Sequence, residues 1–153
     1  MLSLATIGYQ GATLDGFRRA LKEARIELLI DIRAVASSRR PGFSKSKLSA
    51  GLADAGIDYL HLRTLGTPAD GRAAARAGRH PEMRTIFLAH MATADAKSAL
   101  EDVAELVRSG RRICLLCFEA DPAHCHRSIV ASLLGELLPL RITHLMPEAD
   151  PLF

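Results

Sequence analysis

The sequence contains no tryptophan, and two tyrosines and five phenylalanines make up its whole aromatic content. That scarcity argues against a surface that holds single-stranded nucleic acid by stacking bases on aromatic rings. No stretch approaches the ~20 apolar residues of a membrane-spanning helix. The opening MLSLATIGYQG has neither a basic leader nor a long apolar region, so no signal peptide is expected. Only three cysteines occur; with no leader they predict free thiols, a reducing cytoplasmic setting and no disulfide framework. Repeats, low-complexity tracts and Gly/Ser-rich linkers are absent, so residues 1–153 read as one domain with one core. The formal charge is +3 and the isoelectric point is near 9.0. That mild excess suits an anionic ligand without requiring one.

What is present is an alternation of apolar strands and amphipathic helices. Leu2 to Ile7 reads as a strand ending in Gly8-Tyr9, and Thr13 as the cap of a helix from Leu14 to Ala24. Glu27 to Arg33 (ELLIDIR) is a second buried strand. The polar loop Ala34 to Ser44 follows, with Ser44 expected to cap a helix over Lys45 to Ala55. Asp58 to Leu62 is a third strand. The Gly-rich stretch from Arg63 to His80 predicts at most a short helix around Arg72 to Ala77. Helices are expected from Pro81 to Met91 and from Asp95 to Arg108, then a strand over Ile113 to Phe118, a helix over Ser128 to Leu138, and a last strand over Arg141 to Leu145. The tail MPEADPLF reads as a surface extension. Strands alternating with helices imply a parallel sheet covered on both faces. We therefore expect an α/β fold: a single three-layer α/β/α domain, Rossmann-like, with a mainly parallel five-stranded sheet. The expected strand order is third, second, first, fourth, fifth.

Chemistry concentrates between the fourth strand and its helix, in RRICLLCFEADPAHCHRSIVASLLGELL. Such a turn lies at the carboxyl edge of an open sheet, where ligands bind. Cys114 and Cys117 are spaced as a metal-binding pair, but on a strand they point to opposite faces. Cys114 is then a small core residue, while Cys117 at the strand end either faces the site or packs in the core. Cys125 lies at or near a helix start, either in a first turn capped by Asp121 or at the cap itself. A helix dipole and Arg127 there favour a thiolate. Cys117, Cys125, His124 and His126 match no standard zinc spacing, and neither a resident metal nor another cofactor is expected. Glu119 is a general acid or base, or a loop carboxylate that orients Arg127. His126 is a second acid/base candidate.

For binding, Arg127 beside free helix amides reads as an anion anchor. Asp31 and Arg33 share one strand face, and Asp31 is either functional or a structural partner for Arg33 or Arg127. Ser38 and Arg39 on the second loop, and Tyr9 after the first strand, complete the expected binding set at the carboxyl edge. Arg40 reads as a solvated charge. Arg72, Arg76, Arg79 and Arg84 read as a solvated helix face in preference to a phosphate-binding stripe.

Taken together, TIGYQG, LLIDIR with SSRRPGFSKSKL, GIDYLHLRTLG and LLCFEADPAHCHRSIVA resemble the family catalogued as domain of unknown function 488. The resemblance covers nearly the whole chain. Its Cys-x-Glu and Cys-His-Arg fall on Cys117, Glu119, Cys125, His126 and Arg127, and its Asp-x-Arg and Ser-Arg on Asp31, Arg33, Ser38 and Arg39. The chain departs at Ala36, where the family often has proline, and at Gly66-Thr67, where it often has two glycines. The resemblance implies a fold and a site, not a reaction. A more distant similarity is to rhodanese-like sulfurtransferases, through LLIDIR and through Cys117 with Arg127-Ser128; nine residues separate that Cys and Arg, against a compact loop in those enzymes. The sequence thus supports an enzyme acting on a small or nucleotide-like anion, a non-catalytic module for an anion or nucleic acid, and, more distantly, sulfur transfer. A small anionic ligand is the expected partner, nucleic acid the second candidate, and no membrane is expected.

Overall fold

A computed structural model describes residues 2–149. Five parallel strands form one sheet: β1 (Leu2–Gly8), β2 (Leu28–Asp31), β3 (Asp58–His61), β4 (Ile113–Cys117) and β5 (Leu140–Leu145). Six helices connect them: α1 (Leu14–Glu23), α2 (Lys45–Asp54), α3 (Ala69–Arg76), α4 (His80–Met91), α5 (Ala94–Arg108) and α6 (His126–Leu137). Two short 3-10 turns, Arg63–Leu65 and Pro122–His124, precede α3 and α6. The fold is the expected Rossmann-like three-layer α/β arrangement. No described helix is long and apolar enough to cross a membrane. The end of the expected tail extension, residues 150–153, lies outside the described residues; within it, Ala149 forms an antiparallel bridge with Ala12.

The strand order is β3-β2-β4-β1-β5, which corrects the expected one. β4, not β1, is the middle strand, and it separates β1 from β2. Alternation and composition mark both β1 and β4 as buried, but they do not rank buried strands by position. Burial in the fold does: all five residues of β4 are buried, whereas β1 begins with less covered residues. The sheet has two cores. Phe17 and Leu21 of α1 and Leu48 and Leu52 of α2 pack with Ile7, Leu29, Cys114 and Leu116 on one face. On the other, α3 to α6 pack through residues such as Phe87, Val103 and Val130 against Ile30, Leu115 and Cys117. Cys114 and Cys117 accordingly belong to opposite cores.

Local signals were mostly kept. Thr13 Oγ1 accepts from the Gly16 amide and caps α1. Ser44 stands at the cap position of α2 but makes no cap hydrogen bond. Its hydroxyl instead accepts from the Ser38 amide and donates to the Ser38 carbonyl, closing the loop after β2. The competition between cap and loop, both satisfiable by one hydroxyl, was decided by the loop.

Gly8 ends β1 where the chain after β4 crosses closest. A Cβ on Gly8 would lie 1.8 Å from the Glu119 carbonyl oxygen and 2.8 Å from Arg127 Nη1. Two backbone segments cannot both stay in place around it. Gly8→Ala is therefore expected to lower stability by roughly 1–3 kcal/mol or more, read as a lower urea midpoint at unchanged m-value.

Candidate functional site

The carboxyl ends of β1, β2 and β4 open into a cleft of about 940 Å³. Of the residues expected to form a site, Tyr9, Arg33, Ser38, Arg39, Cys117, Glu119, Cys125 and His126 all line it. Asp31 and Arg127 do not; each is fully buried and lies beneath the cleft.

Asp31 sits at the end of β2, and its carboxylate grips Arg33 with two bonds, Oδ1 to Nε at 2.9 Å and Oδ2 to Nη2 at 2.7 Å. The i, i+2 spacing on an extended segment makes this possible, since both side chains leave the same face. Tyr59 of β3 donates to Oδ2 at 2.5 Å. Arg33 Nη1 donates to the Phe43 carbonyl at 2.8 Å and to Tyr9 Oη at 3.3 Å, so the guanidinium also pins the second loop. Burial works against the charge on Arg33, but the Asp31 carboxylate outweighs it and holds the guanidinium more firmly protonated than usual. Burial and the bond to Asp31 push the Tyr59 hydroxyl up. Of the two roles open to Asp31, the pair with Arg33 is the one in place.

Two imidazoles cap the carbonyls that β2 leaves unpaired at its end. His126 Nε2 donates to the Ile32 carbonyl at 2.7 Å, and His61 Nε2 donates to the Arg33 carbonyl at 2.7 Å. A carbonyl only accepts, so the His126 proton sits on Nε2 and Nδ1 carries a lone pair. Nδ1 lies 3.7 Å from Cys125 Sγ. Burial of the ring pushes its pKa down to about 4, and His126 is neutral at physiological pH.

Arg127 is turned into the protein. Its Nε donates to Thr6 Oγ1 at 3.1 Å, Nη1 to Cys117 Sγ at 3.3 Å and to the Glu119 carbonyl, and Nη2 to the Ala120 carbonyl at 3.1 Å. Burial lowers its pKa. Asp121 caps the short turn Pro122–His124, and Cys125 then stands as the cap residue of α6, with no side-chain bond to the first-turn amides. Glu119 lies half-buried on the cleft wall, and burial raises its pKa.

The expectation of three free thiols is corrected. Cys117 and Cys125 are joined as a disulfide across 7.3 Å between their Cα atoms, and among the described residues Cys114 alone is a free thiol. The sequence separation of eight gave no sign of this; the end of β4 and the start of α6 meet on one face of the sheet. Cys114 is wholly buried, which raises its thiol pKa far above the ordinary range. Arg40 is also corrected: it donates to the Ala12 carbonyl and lies over the Phe43 ring, so it is a loop clamp, not a solvated charge.

The cleft contains residues that the sequence did not single out for it. Arg72 and Arg76 of α3 form part of its wall, with Met83 and Phe118. Arg79 of the same stripe pairs with Glu82 outside it. Their helical spacing was visible, but nothing local told which sheet edge α3 would face.

The family model for Domain of unknown function DUF488 matches residues 13–134. The chain belongs to the DUF488 family. No curated protein matches it. The DUF488 match takes in the second loop, α3 and the whole β4–α6 connection, and so most of the cleft.

Removing the Arg127 side chain would leave the Glu119 and Ala120 carbonyls without their donor and empty a fully buried position. Arg127→Ala is expected to cost about 3 kcal/mol or more, whereas Arg39→Ala, at an exposed position, should stay within about 0.5 kcal/mol of wild type. Chemical denaturation of the two variants checks the contrast.

Proposed function

We infer that this DUF488 chain is an enzyme acting on a small or nucleotide-like anion held in the carboxyl-edge cleft. The observation that carries the reading is the sharing of one cleft by two unlike sets of groups. One set is cationic: Arg33, Arg39, Arg72 and Arg76. The other is reactive: Cys117, Cys125, His126 and Glu119. Cationic walls alone would suit a binding module equally well. A sulfur pair, a neutral imidazole and a half-buried carboxyl set against those walls support the enzyme reading over a binding module.

The roles divide by mobility. Arg33 is committed to Asp31, Tyr9 and Phe43; its charge is matched by the Asp31 carboxylate, and it fixes the wall in place. Arg72 is anchored at one Nη by the Thr67 carbonyl at 2.8 Å, which leaves the rest of its fork for a ligand. Arg39 is exposed on the second loop and reaches in from the open side. Phe118 and Val35, both exposed apolar residues on the cleft wall, suit an anion that carries an apolar portion, such as a nucleotide, better than a bare oxyanion. Glu119 is the proton carrier beside the sulfur pair.

Titration calorimetry with inorganic pyrophosphate and with a nucleoside monophosphate tests this. Both should bind, more weakly as salt rises. Arg39→Ala and Arg72→Ala should each weaken binding about tenfold, equivalent to roughly 1.4 kcal/mol, while Arg79→Ala outside the cleft leaves it unchanged. Cys125→Ser should abolish turnover of a converted ligand yet keep its affinity. Equal losses for all three arginine variants would mean a diffuse basic surface and would defeat the reading.

A further inference from the structure

Cys117 Sγ, Cys125 Sγ and a His126 ring nitrogen lie within 4.8 Å of one another. They come from two places, the end of β4 and the cap and first residue of α6, yet they converge on one point of the cleft wall. We propose that the reduced Cys117–Cys125 pair and His126 Nδ1 form a three-ligand site for a thiophilic divalent cation, zinc by its donor set, with the fourth position open to the cleft. The proposal deepens the reading of the cleft as the reacting site.

Four features of the surroundings fit an ion and not only a sulfur bridge. The Cα separation of 7.3 Å is wider than the usual disulfide span of about 4.4–6.8 Å. A tetrahedral ion with arms of ~2.3 Å holds two sulfurs roughly 3.8 Å apart, and a wider backbone spacing suits it. His126 is already oriented: its Nε2 proton is given to the Ile32 carbonyl, the arrangement that fixes ligating imidazoles, and its lone pair on Nδ1 faces Cys125 Sγ. Arg127 donates from Nη1 to Cys117 Sγ, which favours a thiolate there. Cys125 stands at the head of α6 with the first-turn amides uncapped by any side chain, which favours a thiolate at the second sulfur.

The balance is simple. A phosphine with one water reduces the bridge to two thiols, the water supplying both protons and its oxygen leaving on the phosphine oxide; a dithiol does the same and is itself oxidised to a disulfide. The ion displaces one proton from each sulfur, and His126 gives up none, because its proton is on Nε2. Two thiolates cancel the charge of a divalent ion, so the filled centre is neutral and its open position accepts a water or an oxygen of an anion. Two sulfurs and an imidazole select zinc over magnesium or calcium, which prefer oxygen.

The test uses the whole chain, reduced with a phosphine, stripped with a chelator and titrated with cobalt(II). The expected result is one equivalent bound, with thiolate-to-cobalt charge-transfer absorption and strong tetrahedral visible bands, released by zinc, and up to two protons freed per ion, fewer where a sulfur is already thiolate. Cys117→Ser, Cys125→Ser and His126→Asn should each weaken binding roughly 100-fold or more; Cys114→Ala, in the opposite core, should not. The wild-type spectrum stands alone should a variant fail to fold. Absence of uptake, uptake without thiolate bands, or a bridge that stays closed under the phosphine overturns the proposal. Such a failure leaves the cleft reading intact if Arg39→Ala and Arg72→Ala still weaken pyrophosphate binding, and both fall if they do not.

Discussion

A guanidinium taken wholly out of water has to be surrounded by acceptors, and Arg127 finds them on three parts of the chain. Thr6 belongs to β1, Cys117 ends β4, and the Glu119 and Ala120 carbonyls lie on the connection to α6. The side chain itself starts in the first turn of α6. One residue thereby fixes where the helix begins relative to two central strands. Gly8 must be bare for the same reason, since the Glu119 carbonyl bound by Arg127 occupies the space a side chain would take. The chain of contacts runs on: Thr6 Oγ1 accepts from Arg127 and also meets His144 Nδ1 at 2.6 Å on β5. A single buried charge thus orders one half of the sheet edge.

The other half is ordered by a second buried charge, but with the opposite design. Arg33 has a full carboxylate partner in Asp31, whereas Arg127 is in direct contact with a hydroxyl, two carbonyls and a sulfur, and Glu119 and Asp121 act on it only through space. Burial opposes the charge on both; on Arg33 the Asp31 carboxylate outweighs it and strengthens the hold on the proton, whereas on Arg127 burial prevails and weakens it. Between these two posts the cleft wall carries Arg39 and Arg76, both exposed.

Much of this could be read from the residues, and the reasons for the exceptions are physical. Periodicity located every strand and helix to within a few residues, because one-face and two-face burial leave different patterns. The density of Cys, His, Glu and Arg after β4 located the cleft, because the carboxyl edge of a parallel sheet gathers its loops. Three things were not legible. Strand order depends on which crossover passes over which strand, and ELLIDIR and ICLLCF look alike whether adjacent to β1 or not. The direction of Arg127 depends on acceptors 121 residues away at Thr6. The pairing of Cys117 with Cys125 depends on how the loop between them folds back, and one short 3-10 turn with the proline that opens it decides that. Arg72 and Arg76 were seen as a stripe and not as a wall for the same kind of reason: α3 is placed by α4, with which it packs closely, not by its own sequence.

The placement of β4 has a consequence for how the chain acquires its structure. β1 and β2 are consecutive in sequence but pair only through β4, which the ribosome delivers more than eighty residues later. Until then the first three strands cannot form a continuous sheet; β2 and β3 can pair, while β1 lacks both of its neighbours. The slot between β1 and β2 is one strand wide and apolar on both sides, an open invitation to any extended segment nearby. Nascent chains would emerge with that slot unfilled, and closing it requires contacts of long sequence separation, which form slowly. Vectorial synthesis therefore leaves the centre of this sheet open until the fourth of its five strands has emerged, with only the β5 edge still to come.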